Sequence, residues 1–597
     1  MVVSSNNVGC HMGDKAEKYS AWSPGLGSDI PAHLLPLVTL YRAENATVDY
    51  AHAKEAADFC GLEPRDMAAF RLERLIVHEV LIRVTADLSV PDGPNYEELG
   101  LNMRGMAARI VAAHVHPQLD ELRKKFDKLR SQASAKLDEI LDRDIYQIAP
   151  ATSAKAPGFI GRLFGKTTTD EAPSERAEVG ALKTWRAQLN TEDDALTRAC
   201  LQALLAVVGG IVGQRGRLMA DKAMITKFAL NMVSNGYGST QVGTWVDPII
   251  AQAAKAEGYR YLPTQAKPFF MNVKGASAAG KSTVRPAQRK LAQKLNIPWE
   301  DFALISPDYW RKMLLDYESL GDDFKYAAML TGQELEIIDK KLDRYMETKA
   351  ARKELPHLLI DRFRFDSFDV SKELGKNSQL LTRFGDTVFL FFIVTPPAAT
   401  VERAWKRGLE TGRYKAVDDL LYHNIEAYTG MPNLFFSGVL ATDKKIHFEF
   451  LDNSVDYGKP PRTIAYGWNG QVTILDLQGM NNIERFKNVN IAATRPQDVL
   501  EPVDTSFAFL KSCLARIPDV TLADQKSGRI YGKAKDGEWV FKDASALGET
   551  DPFVHECLTA LGWEDFTGDA SPKPLRLDVA GDRHDTLGEW GVRSRSA

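Results

Sequence analysis

Residues 268–283 read PFFMNVKGASAAGKST. An apolar, strand-like run ends at Val273. Gly275 follows, then four residues, then Gly280, Lys281 and Ser282, and a helical stretch begins. This is the G-x-x-x-x-G-K-[ST] pattern in the strand–loop–helix setting that lets such a loop cradle phosphate. Glycine reaches backbone angles that Cβ-bearing residues resist. Successive N–H groups can then face an anion at the positive end of the following helix. Gly275, Ala276, Ser277, Ala278, Ala279, Gly280, Lys281, Ser282 and Thr283 are therefore expected to hold nucleotide phosphates. Lys281 is expected at the β- and γ-phosphates and the Ser282 hydroxyl at Mg²⁺, with Thr283 adding a phosphate contact. ATP is the expected donor, and GTP fits the same loop. The loop alone does not separate kinases from motors, GTPases or other NTPases.

Outward from the loop, apolar strand candidates alternate with helical text: FALIS at 302–306, HLLID at 357–361, DTVFLFFIVT at 386–395 and IHFEFLD at 446–452. That alternation predicts a parallel sheet covered by helices. In Ile305–Arg311, ISPDYWR, a strand gives way to a helix with Asp308 at the junction. A carboxylate at the C-terminal edge of a strand can take the proton of an acceptor hydroxyl, although an isolated Asp there is more often a helix cap. Arg403, Arg407 and Arg413 fall on one helix and the loop after it, VERAWKRGLETGR. Guanidinium forks suit phosphate oxygens, and a solvated basic face is the competing reading.

These segments together resemble the zeta toxin family of P-loop kinases: GASAAGKST, ISPDYWRKMLLDY, LTGQELEIIDKKL, HLLIDRFRFDSF and ATVERAWKRGLETGR, in that order, over roughly residues 265–455. The resemblance implies an ATP- and Mg²⁺-dependent kinase whose acceptor is typically UDP-N-acetylglucosamine, and in some members a toxin with an antitoxin partner. It makes Asp308 the base, Glu334 a substrate contact, Asp361 an acidic residue near Mg²⁺, and Arg403 and Arg413 phosphate clamps. Where the family has a small pair after that acidic residue, this chain has Arg362 and Phe363, and Arg364 stands one place off a family arginine. A polynucleotide end, a nucleoside or a protein thus stays open as the acceptor, as does a nucleotide-binding switch with a helical interaction module.

The remainder reads as a flexible tail at 1–30, a helical domain at 31–148, a Pro/Ala/Ser/Thr-rich linker at 149–182 and a helical region at 183–262. The α/β P-loop kinase domain then spans 263–495, and a small α+β region 500–597. Leu119, Leu122, Phe126, Leu129, Ala133, Leu137 and Ile140 recur at helical spacing and predict one buried helix face. GFIGRLFGK at 158–166 sits inside the linker and suits a docked segment better than an interfacial helix. Asp536-Gly537 between strand-like runs predicts a hairpin.

Among the 597 residues, 75 basic and 79 acidic side chains nearly balance, so no global basic field exists to hold nucleic acid. Five scattered cysteines support neither a disulfide framework nor a zinc site, and His114 and His116 lack a third ligand nearby. The most apolar run, 199–213, falls short of a bilayer span and is expected to be a buried helix. No transmembrane segment is expected. A cytoplasmic location fits this composition, with a secreted effector as the alternative.

Overall fold

The computed structural model describes residues 19–93, 96–146, 176–361, 384–456, 458–502, 506–547, 551–563, 574–578 and 584–590. Arg362, Phe363 and Arg364, the 158–166 run and Cys10 lie outside them. The chain divides into two compact units, one of residues 1–30, 82–105 and 260–597, the other of 31–81 and 106–259. The two helical stretches on either side of the 149–182 segment thus contribute to one unit, and residues 177–182 begin the helix Ala177–Gln188.

The helical unit is built by caps and apolar faces. Asp194 accepts from the Thr197 amide to start Ala195–Arg215, and Gly216 ends that helix in the left-handed region at φ 75°. Leu119–Leu141 buries Leu122, Phe126, Leu129, Ala133, Leu137 and Ile140, as the spacing predicts, while Leu119 is only half-buried. Trp185 is fully buried, and its indole N–H donates to Asp144 at 2.7 Å. A fully buried ring of this size is worth roughly 2–3 kcal/mol by area alone, and its N–H requires that partner. Ala195–Arg215 is long and apolar enough by length and composition to cross a bilayer. Its Cys200, Leu204, Val207 and Ile211 are instead buried within the protein. His114 pairs with Glu257 at 3.0 Å, and His116 is exposed.

The other unit is an α/β fold around one ten-stranded sheet, ordered β2-β3-β1-β4-β5-β6-β7-β8-β9-β10. The strands are β1 Phe269–Lys274, β2 Phe302–Ile305, β3 His357–Asp361, β4 Thr387–Val394, β5 Lys445–Asp452, β6 Arg462–Trp468, β7 Gln471–Ile474, β8 Asp519–Ala523, β9 Ile530–Lys535 and β10 Glu538–Lys542. From β2 to β5 all pairing is parallel. These strands are buried on both faces, which is why they read as largely apolar runs, with Asn272, His447 and Glu449 buried among the apolar side chains. The Phe392 and Phe450 rings stack at 4.6 Å, and the Phe435 ring meets the Phe448 ring edge-on at 4.7 Å.

Beyond β5 the sheet turns mixed. β6, β7, β9 and β10 join their neighbours antiparallel, and β8 lies parallel to β7. The strands after residue 500 therefore extend the same sheet instead of forming a separate one. A bare β7 edge would leave a row of unpaired backbone groups, and β8 covers it. The hairpin at Asp536-Gly537 forms with φ 49° and 85° at its two turn residues, joining β9 to β10. Residues 19–26, expected in the tail, are held instead: Trp22 donates to Glu402 at 2.7 Å, and Lys325 lies 3.2 Å from the centre of the Tyr19 ring.

β1 fixes where a ligand can sit. The chain leaves β1 for β2, two places to one side, and later enters β4 on the other side. The direction of the connections reverses around β1, so the crevice outside the carboxyl ends of β3, β1 and β4 is a topological switch point, where open α/β sheets bind ligands.

Candidate functional site

β1 ends at Lys274, and the loop 275–280 leads into a turn of 3₁₀ helix, Lys281–Val284, continued by the helix Arg285–Lys294. Two residues of this loop take positive φ, Ala278 at 59° and Gly280 at 95°. For alanine that region costs about 1 kcal/mol. Alternating backbone hands turn consecutive N–H groups into one concavity. The amides of Ser277, Ala278 and Gly280 make no backbone hydrogen bond among the described residues. Glycine is required at 280, because a Cβ there would lie 2.3 Å from Asn453 Nδ2.

The Ala279 carbonyl is held from three directions. Thr395 Oγ1 at the end of β4 donates to it at 2.9 Å, Asn453 Nδ2 after β5 at 2.7 Å, and Arg403 Nη1 at 3.3 Å. Tyr428 fixes Thr395 in turn, accepting from its N–H and donating to its carbonyl, each at 2.7 Å. Lys281 folds over the loop and donates to the carbonyls of Gly275 and Ala276 at 3.2 and 2.9 Å. Burial pushes its ammonium below the ordinary lysine range, with Asp361 and Asp308 opposing.

Asp308 lies in the short 3₁₀ turn Pro307–Trp310 after β2. Its carboxylate accepts from Arg311 Nε at 2.9 Å and pairs with Arg413 Nη2 at 2.5 Å. Burial alone would raise this carboxyl, but Arg413 and Arg311 outweigh it and hold it far below the usual carboxylate range. Arg413 is thus a partner of Asp308 here, not an open phosphate clamp. Its location on the loop behind the helix Pro397–Thr411, next to Asp308, accounts for that pairing. Arg403 likewise donates to the carbonyls of Asn453 and Val455 at 2.6 and 3.1 Å. It joins the loop, the helix Pro397–Thr411 and the end of β5.

Glu334 is fully buried in the first turn of the helix Gly332–Ala351. Arg311 Nη1 reaches Thr331 Oγ1 at 2.9 Å, which ties the entry of that helix to Asp308. Asp361 ends β3 nearly buried, 3.8 Å from Arg285 Nη2, beyond hydrogen-bond reach. Its charge bears on Lys281. Asp361 and the Ser282 hydroxyl at the start of the helix are the oxygen-bearing residues here that could hold Mg²⁺, a hard cation that keeps most of its ligands from water and phosphate. Among the described residues no group of three or more His, Cys, Asp or Glu side chains is clustered to hold a metal by itself.

Sequence reasoning passed over several residues here. Lys415 Nζ lies 2.7 Å from His423 Nδ1 and 3.1 Å from Asp419. Burial pushes Lys415 down to about 8 and His423 down to about 2, so His423 is neutral. Arg311, Thr395 and Asn453 were also missed. Arg311 stands beside Asp308 in the ISPDYWR run, and Asn453 directly follows a strand, so proximity to a candidate residue was the available signal. The charges of Arg407 and Arg413, and of Asp361 and Asp308, bear on Lys281, and Arg311 lies beside Asp308. Cations gathered in a cleft favour a polyanion. No protein-family model, curated protein or solved structure matches the chain.

Proposed function

We propose that the α/β unit is a P-loop phosphotransferase that moves the γ-phosphoryl of ATP, or of GTP, to a hydroxyl acceptor. The observation that carries this reading is an ionised carboxylate, Asp308, in the same cationic crevice as the 275–283 loop. A nucleotide-binding switch has no need of an acceptor-side carboxylate held among arginines.

The acceptor oxygen attacks the γ-phosphorus, the bond from that phosphorus to the bridging oxygen breaks, and the acceptor proton passes to Asp308. The bridging electrons remain on the nucleoside diphosphate. Such transfer needs positioning and charge neutralisation more than a strong base. Lys281 neutralises the β- and γ-oxygens, and the loop amides orient them. Mg²⁺, held by Ser282 and Asp361, would supply further neutralisation of the same oxygens. Arg413 leaves Asp308 for the γ-phosphate once nucleotide binds, which clamps the donor and frees the base in one move. The zeta-toxin resemblance supports this assignment of Asp308, Glu334, Arg403 and Arg413, and makes UDP-N-acetylglucosamine the first acceptor to try.

The test is mass-spectrometric detection of a phosphorylated product. Purified protein is given Mg²⁺, ATP or GTP, and acceptors including UDP-sugars, nucleosides and polynucleotide ends. Product from the natural chain and none from Lys281→Ala is expected. Tight nucleotide binding without transfer to any acceptor would establish the switch instead.

A further inference from the structure

Near Asp308 a second group of polar side chains includes Tyr317. Arg104 belongs to the α/β unit, on the helix Tyr96–Arg109, and its Nη1 donates to the Tyr309 carbonyl at 3.0 Å. Lys312 Nζ lies 5.9 Å from the centre of the Tyr317 ring. That ring also stands against the backbone of Gly412, next to Arg413: a Cβ on Gly412 would be 3.3 Å from Tyr317 Cδ2. The charges of Arg311, Arg413, Asp308 and Arg104 all bear on the Tyr317 hydroxyl. Glu97 acts on both Arg104 and Lys312, yet among the described residues neither cation forms an ion pair.

Two polar atoms in this group are buried without a hydrogen-bond partner, Tyr317 Oη and Glu97 Oε1. A buried hydroxyl or carboxylate oxygen is costly to leave unsatisfied, and a ligand that supplies the missing partner removes that cost. The chemistry they ask for is complementary. Tyr317 and the two cations donate, and therefore want an anion. Glu97 accepts, and therefore wants a hydroxyl or an N–H.

We infer that Arg104, Lys312 and Tyr317 form an anion subsite for the acceptor, with Glu97 taking a neighbouring hydroxyl or N–H of the same molecule. The acceptor class is then a phosphorylated polyol or nucleotide, with its anionic group at this subsite and its reacting hydroxyl at Asp308. Residues 97–104 precede the loop by some 170 positions in sequence. A segment outside the kinase-like stretch therefore sets what the kinase accepts. This rests on the phosphotransferase reading, and the experiment separates the two.

Inorganic phosphate is the probe, titrated by calorimetry into the full chain with the loop filled by a non-hydrolysable ATP analogue and Mg²⁺. Failure of the analogue to bind, read in its own titration, counts against the phosphotransferase reading. With the analogue bound, phosphate binding that weakens at least tenfold in Lys312→Met and in Arg104→Met, and is kept in Arg104→Lys, is the expected result. Lys312 makes no hydrogen bond to the fold among the described residues, so its loss reads binding and not folding. Tyr317→Phe weakens binding severalfold. Absent phosphate binding, or affinity unchanged in Lys312→Met and Arg104→Met, overturns the subsite.

Discussion

The 275–283 loop and the Asp308 cluster face the same crevice but are made in different ways. The loop is local: nine consecutive residues, one strand before and one helix after. Its angles are set by Gly280 and by a strained Ala278, and its position by three donors on the Ala279 carbonyl. The cluster is assembled from distant segments. Asp308 and Arg311 follow β2, Arg413 follows the helix Pro397–Thr411, and Arg104 precedes the sheet. A local device is rigid and accepts one kind of ligand. An assembled one can rearrange, and its ion pairs are its resting state. The first is suited to the invariant half of a reaction and the second to the half that differs between enzymes.

If that contrast is right, breaking the assembled side should cost the most chemistry. Asp308→Asn is expected to lower phosphoryl transfer by about 10²–10⁴-fold, the range for losing a positioned base, while nucleotide binding read by calorimetry is kept or strengthened, since Arg413 is then free. Lys281→Ala should lower transfer by about 10²–10³-fold and weaken nucleotide binding as well. Arg413→Ala sharpens the comparison further. Arg413 depresses the Asp308 carboxyl, so its removal lets that carboxyl rise. The acidic limb of the kcat/KM profile should move to higher pH, and an unmoved limb would deny the pairing any part in catalysis.

Away from the crevice a smaller effect is expected at Glu449. Burial raises this carboxyl from 4.5 to about 7, although Thr463 Oγ1 and the amides of Leu587 and Gly588 donate to it. The folded state therefore holds its proton where the unfolded state has lost it. Its contribution to stability falls as pH rises from about 4.5 through 7 and is flat above. Glu449→Gln should remove that part of the slope in Tm against pH. The smallest effect is predicted in the loop: Ala278→Gly relieves a left-handed alanine and should raise unfolding stability by up to about 1 kcal/mol.

Legibility in the sequence follows the same division. The loop and the five parallel strands were readable because strand, turn and helix signals are local, and double-sided burial leaves largely apolar text. β6 and β7 were missed although Asn469-Gly470 lies between them. Asn469 satisfies Ile446 N–H and the carbonyls of Gly438 and Ala441, so the pair also serves tertiary contacts. β8 gave little signal, since Asp519 and Thr521 interrupt its apolar positions. Asp308 and Arg413 could each be picked out by motif, but their pairing could not. It depends on where two loops meet, which no spacing within either loop encodes. Lys415 and His423 look like ordinary surface residues in sequence, and only the fold buries them.

The three bonds on the Ala279 carbonyl carry a kinetic consequence. A loop fixed from β4, from the end of β5 and from the Arg403 helix has little left to order when a nucleotide arrives. The first encounter, before Arg413 moves, should then be a single step, with an observed rate that rises linearly with nucleotide concentration and shows no plateau from a preceding isomerisation. Thr395→Val removes one of the three bonds. A plateau appearing only in that variant would show that the carbonyl's anchoring, and not the glycines alone, sets how fast the site fills.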